Sequence, residues 1–164
     1  MPTIIATVGS ATANSYVTLA EAQAILASRT DAVDFLAEPA DTQRAHLIQA
    51  TDWLQRRNWK GVRVTDTQRL ALPRRYLRKP DDPLGTYFAI DAIPEPAKWA
   101  EVELALGFYE QDELDVSEGD GITAFSAGRI SVTYAPGATV KSRFLTRAMQ
   151  LLRGLLLAAQ VERA

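Results

Sequence analysis

Ile93-Pro94-Glu95-Pro96-Ala97-Lys98-Trp99-Ala100-Glu101-Val102-Glu103-Leu104-Ala105-Leu106-Gly107-Phe108-Tyr109 is the stretch on which the fold turns. Its two prolines suit the first turn of a helix, where a missing amide costs nothing, and so they mark the start. From there Trp99, Val102, Leu106 and Tyr109 recur at helical spacing, and Ala97, Ala100, Leu104 and Phe108 make a second apolar row beside them. A helix apolar over more than half its circumference is enclosed by the rest of its own fold or by a neighbouring subunit. This helix is therefore expected at the hub, with the other elements arranged around it.

Upstream of the hub, two more helices are legible. Thr18 and Glu21 form a capping box, in which the threonine oxygen takes a first-turn amide and the glutamate reaches back to the cap; Leu19, Ala22 and Leu26 follow as the buried stripe. A second helix is expected from an N-cap at Asp41 to about Arg56, with Leu47, Ala50, Thr51 and Leu54 on one face, ended by Asn58 and Gly61. Ahead of these, residues 1–15 read as an extended segment and a small polar loop. Between Lys60 and Pro83 the prolines at 73, 80 and 83 forbid anything long, so the reading is a structured connector with a short helix around Thr67 to Leu70.

Downstream, Gln111 to Asp120 is acidic and reads as a solvated loop. Ile122 to Ser126 and Ile130 to Tyr134 alternate as a hairpin turning around Ala127 and Gly128. A last helix is expected over about 140–159, with Phe144, Ala148, Leu151, Leu152, Leu155 and Ala159 on one face and Arg143, Arg147 and Gln150 opposite. Leu157 and Val161 extend apolar character onto that polar face, more than one monomer core needs. The whole is a mainly α chain, a small helical domain of about four helices with one β-hairpin, and a single domain over 1–164.

Composition narrows the function classes. The formal net charge is -2, far from that of a dedicated nucleic-acid binder, so any contact with nucleic acid must be local. Cysteine is absent, which removes disulfides and thiolate chemistry and fits a reducing compartment. His46 is the one histidine; with Gln43, Arg44, Leu47 and Ala50 around it, it reads as part of an ordinary helix turn rather than a triad or metal ligand. Met1 to Val8 lacks the basic start and apolar run of a signal peptide, and the longest apolar run, Leu155 to Ala159, falls well short of the roughly 20 residues that cross a bilayer. No export, membrane contact, cofactor or catalysis is expected.

Three constellations remain. Residues 53–79 interleave aromatics with cations (Trp53, Arg56, Arg57, Trp59, Lys60, Arg63, Arg69, Arg74, Arg75, Tyr76, Arg78, Lys79), opposed only by Asp52 and Asp66. Cations on phosphates and rings under bases hold single strands without sequence preference, which makes Trp59, Lys60 and Arg63 candidate nucleic-acid contacts. The plainer alternative packs the tryptophans as core and spends the arginines on a protein interface or a solvated face. The acidic run Glu110, Asp112, Glu113, Asp115, Glu118 and Asp120 lacks the ligand order of an EF-hand; it reads as a solvated loop, or as one that would repel DNA from a channel wall. Gly119 and Gly121 belong to no phosphate-binding loop.

Three stretches carry a family resemblance: Ala13-Asn14-Ser15-Tyr16-Val17-Thr18-Leu19-Ala20-Glu21-Ala22; Ala50-Thr51-Asp52-Trp53-Leu54 with Trp59-Lys60-Gly61 and Gln68-Arg69-Leu70-Ala71-Leu72-Pro73-Arg74; and Ile93-Pro94 with Ala100, Glu103-Leu104-Ala105 and Gly128-Arg129-Ile130-Ser131-Val132-Thr133-Tyr134. They resemble the head-tail connector or adaptor proteins of tailed phages, a group also described as DnaT-like single-strand binders. Leu72 departs from the pattern, standing where that group commonly has tryptophan. The resemblance implies a structural adaptor in the virion neck, assembled in the host cytoplasm as a homo-oligomeric ring, a dodecamer. Its implied partners are the portal protein, a downstream connector, stopper or tail protein, and double-stranded DNA passing through the lumen. On that reading Arg74, Arg75, Arg143, Arg147, Leu157 and Val161 serve portal or subunit interfaces, and the loop from Glu110 to Asp120 faces the channel. The competing implication is a DnaT-like single-stranded-DNA binder.

Overall fold

Thr18 opens the first helix, α1 (Leu19–Leu26), in a computed structural model that describes residues 1–110, 124–127, 130–133 and 143–157. The capping box forms as its residues predict: Thr18 Oγ1 accepts the Glu21 amide at 3.2 Å, and Glu21 Oε2 accepts the Thr18 amide at 2.8 Å. Lys98 donates to the other carboxylate oxygen of Glu21 at 2.8 Å and ties this helix end to the hub. That bond, ahead of the cap itself, holds the Glu21 carboxyl down at about 2.

The hub helix, α4, spans Glu95–Glu110, and the Pro94 carbonyl accepts the amides of Ala97 and Lys98. Helices α3 (Ala40–Gln55) and α5 (Arg143–Leu152) pack along it, and α1 lies against it as well. Every residue from Ala100 to Phe108 is buried. The apolar surface that suggested a neighbouring subunit is thus covered by the chain's own helices. Trp99, expected in a buried row, is 41 % exposed, while Glu101 and Glu103 are buried. Spacing alone could not foresee that exchange, because helices surround α4 on several sides and leave it no fully polar face.

Three further differences have local causes. Helix α3 starts one residue before Asp41, with Pro39 as its N-cap; Asp41 lies in the first turn and pairs with Arg44 at 2.7 Å. A 3-10 turn (Thr30–Ala32) and the short α2 (Val33–Ala37) precede it, in a stretch for which the sequence offers no pattern. Gln43 closes α2 by donating to the carbonyls of Leu36 and Glu38. Phe35 of α2 meets Tyr109 edge-on at 5.5 Å, and the His46 ring completes the cluster, so the lone histidine packs in an aromatic group. Helix α5 ends at Leu152 rather than near 159. There the chain straightens: Leu155 accepts from the Lys60 amide at 2.9 Å, and the Leu157 amide donates to Asn58 at 2.8 Å. These cross-chain bonds take over the backbone groups that another helical turn would have used.

The chain is mainly helical, with five α-helices among its described residues and small two-stranded antiparallel sheets. One pairs β1 (Val62–Arg63) with β2 (Arg74–Arg75). The other is the expected hairpin, β3 (Ala124–Ala127) with β4 (Ile130–Thr133), in which Ala127 pairs with Ile130. The expected short helix at Thr67 to Leu70 is absent; that stretch is a series of bends. Asp112, Glu113, Asp115, Glu118, Asp120, Ala159 and Val161 lie outside the described residues.

Candidate nucleic-acid interface

The connector between α3 and α4 is held from within by polar side chains. Gln68 is buried: its Oε1 accepts the amides of Val64 and Thr65 at 3.0 and 3.1 Å, and its Nε2 donates to the carbonyls of Leu70 and Pro73. Gln55 of α3 reaches the same loop, accepting the Ala71 amide at 2.6 Å and donating to the Tyr16 hydroxyl at 2.8 Å. A loop whose amides and carbonyls are met by the buried Gln68 and the half-buried Gln55 has no need of a helix.

Arg74 belongs to this frame. Its guanidinium turns onto the chain, donating to the carbonyls of Lys60 at 2.8 Å and Gly61 at 2.7 Å. Burial, and then the charge of Arg63, push its pKa down. Gly61 makes the approach possible. It sits at φ +72°, and a Cβ there would lie 2.3 Å from the Arg75 carbonyl oxygen. Arg74 is therefore spent on the connector's own backbone, which leaves little of it for an external partner.

Trp59 is likewise internal. Only 4 % of it is exposed, and its Nε1 donates to the Leu54 carbonyl at 3.0 Å. Its backbone pairs with Leu156, so the ring named as a possible base contact is part of the core instead. Leu72, the position that departs from tryptophan, is buried too. Lys60 donates from Nζ to the Gly154 carbonyl at 3.0 Å, half-buried at the mouth of a cavity of about 380 Å³ that Arg78, Lys79, Pro80, Asp82 and Gly154 also line. Asp82 stays ionised in that cavity: the Thr86 hydroxyl and the amides of Leu84 and Thr86 donate to it and hold its pKa below the usual carboxylate value.

What the connector turns outward is charge. Arg56, Arg63, Arg69, Arg75, Arg78 and Lys79 are exposed, and among the described residues none of them makes an ion pair. Arg63 donates to the Gln68 carbonyl, and Arg78 donates from Nε to the Gly85 carbonyl at 3.2 Å. Arg57 lies 3.7 Å from the centre of the Trp53 ring. Two exposed tyrosines stand among these cations. Tyr76 is 69 % and Tyr87 56 % exposed, and their rings meet edge-to-face at 6.1 Å. Sequence patterning gives Tyr76 no special weight within the basic stretch and leaves Tyr87 outside it.

The other cations behave differently. Arg143 pairs with Glu110 at 2.9 Å, and Arg147 pairs with Asp31 at 3.0 Å. Arg29 joins Asp31 and Glu103 in the same cluster, and the Asp31 carboxyl is pulled well below its ordinary value, mainly by Arg29. Arg143, Arg147 and Glu110 thus fasten α5 to its neighbours. Leu157 is 56 % exposed in the extended tail after α5, not on a helix face. Among the described residues no cluster is arranged to hold a metal ion, and no helix is long and apolar enough to cross a membrane.

Compared with known proteins, residues 1–164 match the model of a family described as Putative DnaT-like ssDNA binding protein. No curated protein and no solved structure matches. The full-length match overturns the adaptor reading of the three sequence stretches, and with it the portal, tail proteins, ring of subunits and channel duplex as partners. It goes instead with the second implication of the same stretches, and the family is not a known enzyme family. The wide apolar face of α4 is covered by the chain's own helices and so gives no argument for a neighbouring subunit, whereas Leu157 stays 56 % exposed.

Proposed function

The chain belongs to the DnaT-like ssDNA-binding protein family, and from that membership we propose that it binds single-stranded DNA through the outward face of the connector, residues 56–79, and acts by binding alone. The observation that supports this most is the unequal use of cations. Arg29, Arg44, Arg143 and Arg147 are matched by carboxylates, whereas the connector carries exposed arginines that no carboxylate within the described residues neutralises. Such a row attracts phosphates and releases their counterions, so a local patch can act although the whole chain is slightly acidic. Gln55, Gln68 and Arg74 brace the connector from within, which lowers the ordering cost of binding.

Fluorescence anisotropy of a labelled oligothymidine, titrated with the purified protein over a salt series, tests the reading. Affinity should fall linearly in log–log form as salt rises, and each of Arg63, Arg75 and Arg78 replaced by alanine should flatten the slope by roughly 0.7. An absence of binding at about 50 mM salt would end the proposal.

A further inference from the structure

Tyr76 follows β2 in a backbone conformation that bulky residues avoid, φ +61°. A residue held there is strained, and such strain gathers at binding sites because the surroundings impose it for a purpose other than stability. The surroundings are plain. Gly61 lets the backbone at Arg75 to Leu77 close tightly over it, and Leu77 is driven fully into the core. With its neighbour turned inward, Tyr76 points its ring to solvent.

The second ring is brought in by a bridge. Arg78 pairs with Tyr87 in antiparallel fashion, and the Lys79 amide donates to Thr86 and the Phe88 amide to Leu77, both at 2.9 Å. Asp82 shapes the turn between them, and Gly85 leaves room for the Arg78 side chain, whose atoms would lie 2.1 Å from a Cβ there. Tyr87 is thereby fixed beside Tyr76. At 82° between planes, the edge of one ring covers one face of the other, so flat aromatic surface remains open. Arg75, Arg78 and Lys79 stand beside it in sequence or across the bridge.

We infer that Tyr76 and Tyr87 form a base-stacking platform that takes unpaired bases of a nucleic-acid strand while Arg75, Arg78 and Lys79 hold the adjoining phosphates. The inference rests on the single-strand-binding reading and deepens it: it names the two side chains that recognise bases, where cations alone recognise only charge. Rings of this kind accept any base, because every base has a π-face, and they discriminate against duplexes, whose bases are already stacked. Charge complementarity selects this occupant over an apolar one, since the exposed rings lie beside Arg75 and Arg78, which make no ion pair among the described residues.

The test compares a fluorescein-labelled oligothymidine with an abasic strand of equal length and charge. Wild type should prefer the base-bearing strand by roughly tenfold or more. Tyr76→Ala with Tyr87→Ala should bring the two affinities together without changing the salt slope, and the paired phenylalanine variants should keep the preference. Tyr76→Gly separates function from folding: relieved of the left-handed strain, it should melt no lower than wild type and still lose affinity for the oligothymidine. Equal affinity of wild type for both strands overturns the platform and leaves single-strand binding standing. No affinity for either strand removes both.

Discussion

Glu101 is fully buried in the middle of α4, where its carboxyl meets the Ser15 hydroxyl at 2.6 Å, the Thr51 hydroxyl at 2.9 Å and the Tyr16 amide at 2.9 Å. Burial pushes its pKa up to about 8, against the lowering effect of those hydrogen bonds. The geometry agrees with a neutral acid. Ser15 Oγ also lies 2.6 Å from the Val17 carbonyl, and Thr51 Oγ1 lies 3.0 Å from the Leu47 carbonyl. Each hydroxyl has one hydrogen to give, so two hydrogens face four such contacts, and a proton on the carboxyl can satisfy one that the hydroxyls leave unmet. The folded form therefore keeps this proton between about pH 4.5 and 8, where the unfolded chain has lost it. The stability gained is complete below about pH 4.5 and is lost as the pH rises through 8. It amounts to a few kcal/mol at most, since each tenfold difference in proton affinity between the folded and unfolded chain is worth about 1.4 kcal/mol. Glu101→Gln, which is neutral at every pH, should flatten the decline in melting temperature between pH 5 and 9. A wild-type protein as stable at pH 9 as at pH 5 would show that the carboxyl is charged in the fold.

At the scale of elements, the connector depends on backbone shape more than on any single contact. Gly61 is its tightest point, with positive φ and the Arg75 carbonyl where a Cβ would stand. Gly61→Ala should cost about 1–3 kcal/mol in urea unfolding, and it should weaken oligothymidine binding beyond what that loss explains, because β1 and β2 would separate. An alanine variant as stable as wild type, binding as tightly, would mean that this contact matters little. The first helix makes a contrasting case. Its cap is local and modest, so Thr18→Ala should cost about 1 kcal/mol and leave DNA affinity unchanged; a loss of affinity would place α1 in the interface.

Over the whole molecule, positive charge is divided between two tasks. On one side Arg29, Arg143 and Arg147 are matched to Asp31, Glu103 and Glu110 and tie helices together; on the other, the connector arginines are left to solvent. Arg143→Ala with Arg147→Ala should therefore lower stability slightly, by about 0–1 kcal/mol for each exposed pair, with no change in the salt slope of DNA binding. Arg75→Ala with Arg78→Ala should do the reverse. If the α5 variant loses as much affinity as the connector variant, the binding face is elsewhere.

Local signals in the chain were enough for the helical class, the capping box at Thr18, the stripe of α3, the proline start of α4 and the hairpin, because each depends on residues a few positions apart. They also marked the basic stretch between Arg56 and Lys79. They allowed Trp59 as core beside its reading as a base contact, and did not reveal that Arg74 turns onto the backbone while Tyr76 and Tyr87 face outward, that α5 stops at Leu152, or that Glu101 is buried and Trp99 is not. Those outcomes are set by segments far apart in sequence: Asn58 and Lys60 catching the chain after α5, Gln55 joining Tyr16 and the connector at Ala71, and Ser15, Tyr16 and Thr51 closing around one carboxyl. Which face of an aromatic or charged residue meets water is decided by what the rest of the fold places against it. That information enters only when the chain closes on itself.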